Sequence, residues 1–349
     1  MINAPKFTII LAGHQTAPYL PKALDSIARQ TFTDFEAICY VEESTDNSLE
    51  ICRVQAEKDS RFKVVSAPKS GAVATTRNYG IDHATGEYLV VVDGDDWIVP
   101  NMLERLAAKL NQVGEVDVLA FVAVSTETEN VDLPDAPRIT NFRTSDSDGA
   151  FTGLDAIRRT GRNGGSMHNF TWLNTYRTSF LRENGIRQTD GLLMEDMEST
   201  PRIWFAAKQF AYLDEVLYVY RRRPKSLTTE SSPRIVTHIA RQVRSLLSFE
   251  TKQKIPADIK KIWSNQWLSV LYWFMFHPVS SRKISDSDRK SALDILFKDG
   301  GRKLFIRLTE QASLPKRIAL PLILLASAGF QLPAKLFFRQ LYYPLLSIR

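Results

Sequence analysis

The chain has 349 residues, of which 44% are hydrophobic and 24% charged, and a formal net charge of +6. That length supports one large domain or two moderate ones around a sizeable core, and the composition excludes a disordered chain. So mild a positive balance gives no reason to expect a nucleic-acid partner.

The two cysteines, Cys39 and Cys52, form no C-x-x-C pair and have no histidine cluster beside them. Neither a zinc site nor a disulfide framework is expected, and both read as reduced, partly buried thiols. The chain passes from Met1 to Lys6 straight into an apolar run, with no basic segment and long hydrophobic leader, which predicts a cytoplasmic protein. No uninterrupted apolar stretch reaches the roughly 20 residues that a spanning helix needs.

Residues 7–12 form a short apolar run of the kind found in strands buried on both faces. A helix is predicted over 21–30, with Leu24, Ile27 and Ala28 at helical spacing and Pro21 in its first turn. Residues 35–41 read as a second strand. The cap and turn formers from Ser44 to Ser48 introduce a helix over 48–57. A third strand follows over 62–66. Gly71 then opens a helix over 72–83, with Gly86 as its left-handed stop. Residues 87–92 give the strongest strand signal and run directly into Asp93-Gly94-Asp95-Asp96-Trp97. An amphipathic helix is predicted over 101–110 and another buried strand over 116–124. Residues 125–148 are polar and read as a surface excursion or an edge hairpin, 151–159 as a helix, and 161–165 as a flexible loop. A second α/β portion extends to about Thr229, and from Pro233 onward the pattern is helical.

Repeated β-α-β units predict an α/β fold, a mostly parallel sheet flanked by helices with right-handed crossovers. In such sheets ligands bind beyond the carboxyl ends of the strands, which is where the Asp93 cluster falls. Three carboxylates within four positions repel one another unless a cation offsets their charge. Hard oxygen ligands suit Mg²⁺ or Mn²⁺, which also take phosphate oxygens. A solvated turn with one Asp capping the next helix is the alternative.

Several segments, in order, resemble the family 2 inverting glycosyltransferases of the GT-A fold. They are Ile9-Ile10 through Tyr19-Leu20; Leu24-Asp25-Ser26-Ile27 with Gln30-Thr31-Phe32; Ser44-Thr45-Asp46-Asn47-Ser48; and Gly71-Ala72-Val73 with Arg77-Asn78 and Gly80. They continue with Thr85-Gly86-Glu87-Tyr88, Asp93-Gly94-Asp95-Asp96-Trp97, Glu195-Asp196, and a run from Leu213-Asp214-Glu215 to Thr228. The resemblance implies a GT-A nucleotide-sugar-binding catalytic domain over 1–230, followed by a helical C-terminal region over 231–349. It implies Asp93 and Asp95 as ligands of a divalent cation, Mn²⁺ or Mg²⁺, with Asp96 serving the turn before Trp97. Asp196 takes the role of general base for an acceptor hydroxyl, with displacement inverting the anomeric carbon.

The same resemblance places Ala12, His14, Glu42, Arg77, Gly94, Arg221 and Arg223 with Asp93 and Asp95 at the donor. Alternation along a strand puts Arg221 and Arg223 on one face and Arg222 on the other. Arginine forks suit phosphate oxygens, although a solvated basic edge is the plainer reading. Arg77 either faces the nucleotide or supports Asp93. Trp172 and Asn174 stand where the family often places acceptor contacts, a core Trp being the alternative. Glu195 would orient the acceptor or a backbone amide.

Two departures stand out. Val41-Glu42-Glu43 replaces the usual pair of Asp residues, so Glu42 occupies the nucleobase position. His14 and Gln15 replace the usual Tyr and Asn of the first loop. A uridine donor is the expectation, with a glycan or lipid-linked acceptor and a role in cell-surface polysaccharide synthesis. A nucleotidyltransferase would carry a Gly- and Lys-rich phosphate loop after the first strand, but residues 12–18 hold one Gly and no Lys or Arg. A catalytically silent binding subunit is the other alternative. Beyond Glu310 no acidic residue occurs, whereas Lys316, Arg317, Lys335, Arg339 and Arg349 lie among apolar residues. Segment 311–349 therefore reads either as an interfacial element at the inner face of an anionic membrane or as a helical cap on the protein.

Overall fold

The computed structural model describes residues 4–162, 167–223, 233–276, 284–301, 303, 305–306 and 310. Ten strands form one sheet: β1 (Phe7–Gly13), β2 (Phe35–Glu42), β3 (Phe62–Ala67), β4 (Tyr88–Asp93), β5 (Trp97–Ile98), β6 (Val118–Thr126), β7 (Arg138–Ile139), β8 (Ala150–Phe151), β9 (Asn174–Arg177) and β10 (Phe210–Arg221). Their order is β3-β2-β1-β4-β9-β6-β10-β5, with β7 added beside β6 and β8 beside β10. The first four strands of that order are parallel. Their crossovers are α1 (Leu20–Ala28), α2 (Ser48–Lys58) and α3 (Ala74–His83). β1, β2 and β4 are buried along almost their whole length, as the unbroken apolar runs predict.

The sheet is less parallel than the β-α-β pattern alone conveys. β9 lies antiparallel between β4 and β6, and the two-residue β5 pairs antiparallel with β10. Four residues reading Asn-Thr-Tyr-Arg and two reading Trp-Ile are too short to announce themselves by period. The polar stretch after β6 forms the edge hairpin, with Val124 opposite Arg138 and Ala123 opposite Ile139.

Four further helices belong to this part of the chain: α4 (Met102–Val113), α5 (Gly153–Gly161), α6 (Thr178–Glu183) and α7 (Asp196–Ala206). The chain divides into two compact units, one of residues 1–159 and 168–223, the other of 160–167 and 224–349. The second contains α8 (Pro233–Lys252), α9 (Ala257–Phe276) and α10 (Asp286–Phe297), packed on buried Ile239, Val243, Trp263, Trp267 and Leu293. Within that unit Gln266 Nε2 donates to the Met167 carbonyl at 3.3 Å. Residues 163–166 of the predicted loop, Thr228 and Thr229, and segment 311–349 lie outside the described residues. Among the described residues, no helix is long and apolar enough to cross a membrane. Cys39 and Cys52 are free and buried.

Gly86 does not end α3 in a left-handed conformation. The residue following the helix, Ala84, turns extended at φ −56° and ψ 130°, and Gly86 is not among the residues with positive φ. What it provides is room. A Cβ there would stand 2.5 Å from the Phe7 carbonyl carbon and the Thr8 nitrogen. Its own N–H donates to Thr8 Oγ1 at 2.8 Å. Neither backbone neighbour can move without shifting β1, so overpacking should cost about 1–3 kcal/mol. Gly86→Ala is expected to lower the urea midpoint of unfolding accordingly, and an unchanged midpoint would contradict this reason for the glycine.

Candidate active site

The parallel register aligns Ala12 with Asp93 and Gly13 with Val41, so the carboxyl ends of β1, β2 and β4 lie side by side. The chain leaves β4 through a tight turn in which the Asp96 N–H returns to the Asp93 carbonyl at 3.0 Å. The Gly94 N–H donates to the Ala12 carbonyl at 2.9 Å. A Cβ on Gly94 would approach that oxygen to 2.6 Å, which accounts for the glycine. Ala12 thus acts through its backbone, as the floor of the turn.

β10 holds the other side of the turn. The Tyr218 hydroxyl accepts from the Asp93 N–H at 3.1 Å and donates to Asp96 Oδ2 at 2.7 Å. The Arg221 N–H donates to Asp96 Oδ1 at 2.8 Å, and Arg221 Nε to the Asp95 carbonyl at the same distance. Asp96 is buried, and burial together with Asp95 and Asp93 pushes its carboxyl well above the ordinary range. Arg223 Nε donates to Asp95 Oδ2 at 2.5 Å. Arg221 and Arg223 therefore share one side, and both guanidinium groups lie over the Tyr19 ring, at 5.0 and 5.5 Å.

Arg77 on α3 joins two carboxylates that lie 102 residues apart in the chain. Its Nη2 stands 3.4 Å from Asp93 Oδ1, and its Nη1 pairs with Glu195 Oε1. Of the two readings of Arg77, support of Asp93 is the one the geometry gives. Glu195 precedes α7, and Asp196 is its first residue. The loop before them is tied to α3 by Asn78, whose Nδ2 donates to the Gln188 carbonyl and whose Oδ1 accepts from the Gln188 N–H, both at 2.9 Å. Met194 in that loop has a positive φ of 59°, an unusual backbone state for a non-glycine residue just before Asp196. Burial, reinforced by the Glu195 carboxylate and opposed by Arg77, pushes Asp196 up to about 8. Burial also raises Asp93 and Glu195, with Arg77 pulling both back.

Four expected contacts need correction. Glu195 does not face an acceptor, because it is buried and committed to Arg77. Trp172 is 3% exposed and stacks on Phe170, Tyr218 and Tyr220 at 4.7–5.5 Å, so the core reading holds for it. Asn174 is fully buried and donates from Nδ2 to the Phe170 carbonyl. Glu42 is buried and turned to Ser70, accepting from its N–H and its hydroxyl, which ties the loop after β3 to the end of β2. His14 Nδ1 lies 3.3 Å from the Ser44 hydroxyl, in a first loop laced to residues 44–48 through the N–H groups of Gln15, Thr16 and Ala17.

Tyr19, Asn78 and Tyr218 escaped the sequence reading as parts of this site. Asn78 has a signal, its place beside Arg77, but Tyr19 and Tyr218 look like ordinary apolar positions. Among the described residues, no three His, Cys, Asp or Glu side chains are grouped to hold a metal by themselves. Two carboxylates completed by phosphate oxygens fit Mg²⁺ or Mn²⁺ well, since such ions commonly take one or two protein carboxylates plus a substrate's phosphates.

The chain is similar to known proteins. EpsJ of Bacillus subtilis, an uncharacterized glycosyltransferase, is 28% identical over 249 residues, 70% of each chain. The structure of S. aureus TarS in complex with UDP matches with a TM-score of 0.71 at 19% identity, over 96% of this chain and 91% of that one. A mannosyltransferase from Pyrobaculum calidifontis, in complex with GDP-Man and Mn²⁺, matches with a TM-score of 0.52 at 16% identity, over 99% of this chain and 87% of that one. These likenesses establish the GT-A fold. Residues 8–166 match Glycosyl transferase family 2.

Proposed function

We propose that this glycosyltransferase is metal-dependent and inverting, and that it moves a sugar from a nucleoside-diphosphate donor, uridine by preference, to a hydroxyl of a glycan or lipid-linked acceptor in cell-surface polysaccharide synthesis. The observation that carries the reading is the Arg77 bridge. It brings the Asp93 end of β4 together with Glu195 and Asp196 at the start of α7. A donor-side acid and an acceptor-side base thereby lie on either side of one arginine. The TarS complex with UDP supports a uridine donor, and the Mn²⁺ in the mannosyltransferase supports a cation at Asp93 and Asp95.

In this reading Asp93 and Asp95 hold the cation, which when bound neutralises charge developing on the leaving diphosphate. Arg223 and Arg221 add positive charge beside it. Asp196 accepts the acceptor hydroxyl's proton as the oxygen–carbon bond forms on one face of the anomeric carbon. The bond to the diphosphate oxygen breaks on the other face, and its electron pair leaves with the nucleotide. A carboxylate with raised proton affinity is a stronger base than an ordinary Asp, and general-base catalysis contributes about 10²–10⁴-fold. Buried Glu195 positions Arg77 and does not meet substrate. An intact base favours an enzyme over a silent binding subunit.

Asp196→Asn should lower kcat for UDP-sugar turnover with Mn²⁺ by about 10²–10⁴-fold while donor affinity stays nearly constant. The base must be ionised, so kcat/KM should fall as pH drops, with a slope of one. Its midpoint should lie above the ordinary 3.8 and approach about 8 from below, since a bound cation nearby favours the ionised form. A pH profile flat down to the ordinary Asp range would remove Asp196 from the role. Asp95→Ala should weaken Mn²⁺-dependent UDP binding by about tenfold or more, measured by calorimetry, because one charged contact is lost. Equal binding in both proteins would count against the cation site.

The basic, acid-free stretch beyond Glu310 supports a peripheral place on an anionic membrane surface. The full chain should float with anionic liposomes, and a chain ending at residue 310 should not. If both sediment alike, the membrane reading fails.

A further inference from the structure

Arg221 ends β10 and Arg223 follows two residues on, matched in type but not in setting. Arg221 is buried and fully engaged, with Nε on the Asp95 carbonyl, Nη2 on Glu129 Oε1 at 3.0 Å, and its plane over Trp97 at 4.8 Å. Arg223 is more exposed, at 29% of its side chain, and its ion pair is with the Asp95 carboxylate, itself 20% exposed. The 2.5 Å contact occupies Oδ2 of a residue assigned to the cation. Asp93, by contrast, meets Arg77 only at 3.4 Å. The pair of candidate ligands is therefore unequal: one carboxylate is loosely attended, and the other is held.

A guanidinium and a divalent cation on the same carboxylate repel each other, so each weakens the other's hold on Asp95. Without Arg223, Asp95 would face Asp93 and Asp96 with no counter-charge of its own. A diphosphate bound at the same place changes the balance, because it offers Arg223 two or more anionic oxygens in fork geometry. We propose that Arg223 is a positioning residue that exchanges partners: it holds Asp95 in the ligand-free protein and passes to the diphosphate as the cation takes Asp95. Cation and nucleotide then bind cooperatively, each strengthening the other by the same factor. This inference rests on the cation reading of Asp93 and Asp95.

The test is calorimetric titration of Mn²⁺ into the full chain, as wild type and as Arg223→Gln, with and without saturating UDP. Without UDP, Arg223→Gln should bind Mn²⁺ about two- to fivefold more tightly than wild type, the range expected for releasing a partly exposed ion pair. The factor by which UDP tightens Mn²⁺ binding should shrink at least as much. Arg223→Lys, which keeps the charge without the fork, should fall between the two and serves if the Gln variant does not fold. Equal or weaker Mn²⁺ binding without UDP in the variants, or an undiminished UDP effect, overturns the exchange. If Mn²⁺ binds none of the proteins even with UDP, the cation reading itself fails and takes the proposal with it.

Discussion

The acidic turn depends on the carboxylate that does not face the ligand. Asp96 is buried beneath the turn, where it takes the Tyr218 hydroxyl on one oxygen and the Arg221 N–H on the other. Those two bonds join the end of β4 to β10, more than 120 residues further along the chain. Burial and its acidic neighbours push the Asp96 carboxyl well up, and two hydrogen bonds hold it in place. That matters for the two residues that do face outward. Three full negative charges within four positions would drive the turn open. Asp96 is held by two donors, and Asp93 and Asp95 each have an arginine beside them.

The surroundings of Asp196 are organised by the same logic of shared charge. Arg77 is buried with Asp93 on one arm and Glu195 on the other. A buried arginine without partners would be costly, and so would a buried Glu195. Together they form a cross-piece that locks the start of α7 to the end of β4. Asp196, the next residue, then has a fixed place without needing a strong partner of its own. Its surroundings leave it poorly solvated and close to Glu195, which raises its affinity for a proton. Asn78, one position after Arg77, clasps the backbone of the loop that leads into Glu195. One turn of α3 thus controls both the charge and the path of the segment that carries the proposed base.

This division explains what could be read from the residues in order. The four parallel strands were legible, because each is a buried apolar run bounded by turn formers and followed by a helix of the right length. The Asp93 turn was legible as chemistry because its three acids are contiguous. Asp96 could be separated from the other two, but its partners could not be named, since Tyr218 and Arg221 meet it only through sheet pairing. β5 and β9 were hidden by their shortness. The pairing of Arg221 with Arg223 followed from strand alternation, which is local. The pairing of Arg77 with Glu195 did not, because a helix and a distant loop share no period.

The errors follow the same line. Trp172, Asn174 and Glu195 are residue types that suit a sugar or its hydroxyls, and their neighbourhood in the chain invited that use. For Trp172 and Asn174 burial follows from β9, which threads between β4 and β6, and Glu195 is buried against Arg77. Glu42 shows the subtler case. It stands at the end of β2, as the resemblance implies, yet its side chain is bound to Ser70. Position along a strand fixes where a carboxylate begins; the loop that closes over it determines what it can reach.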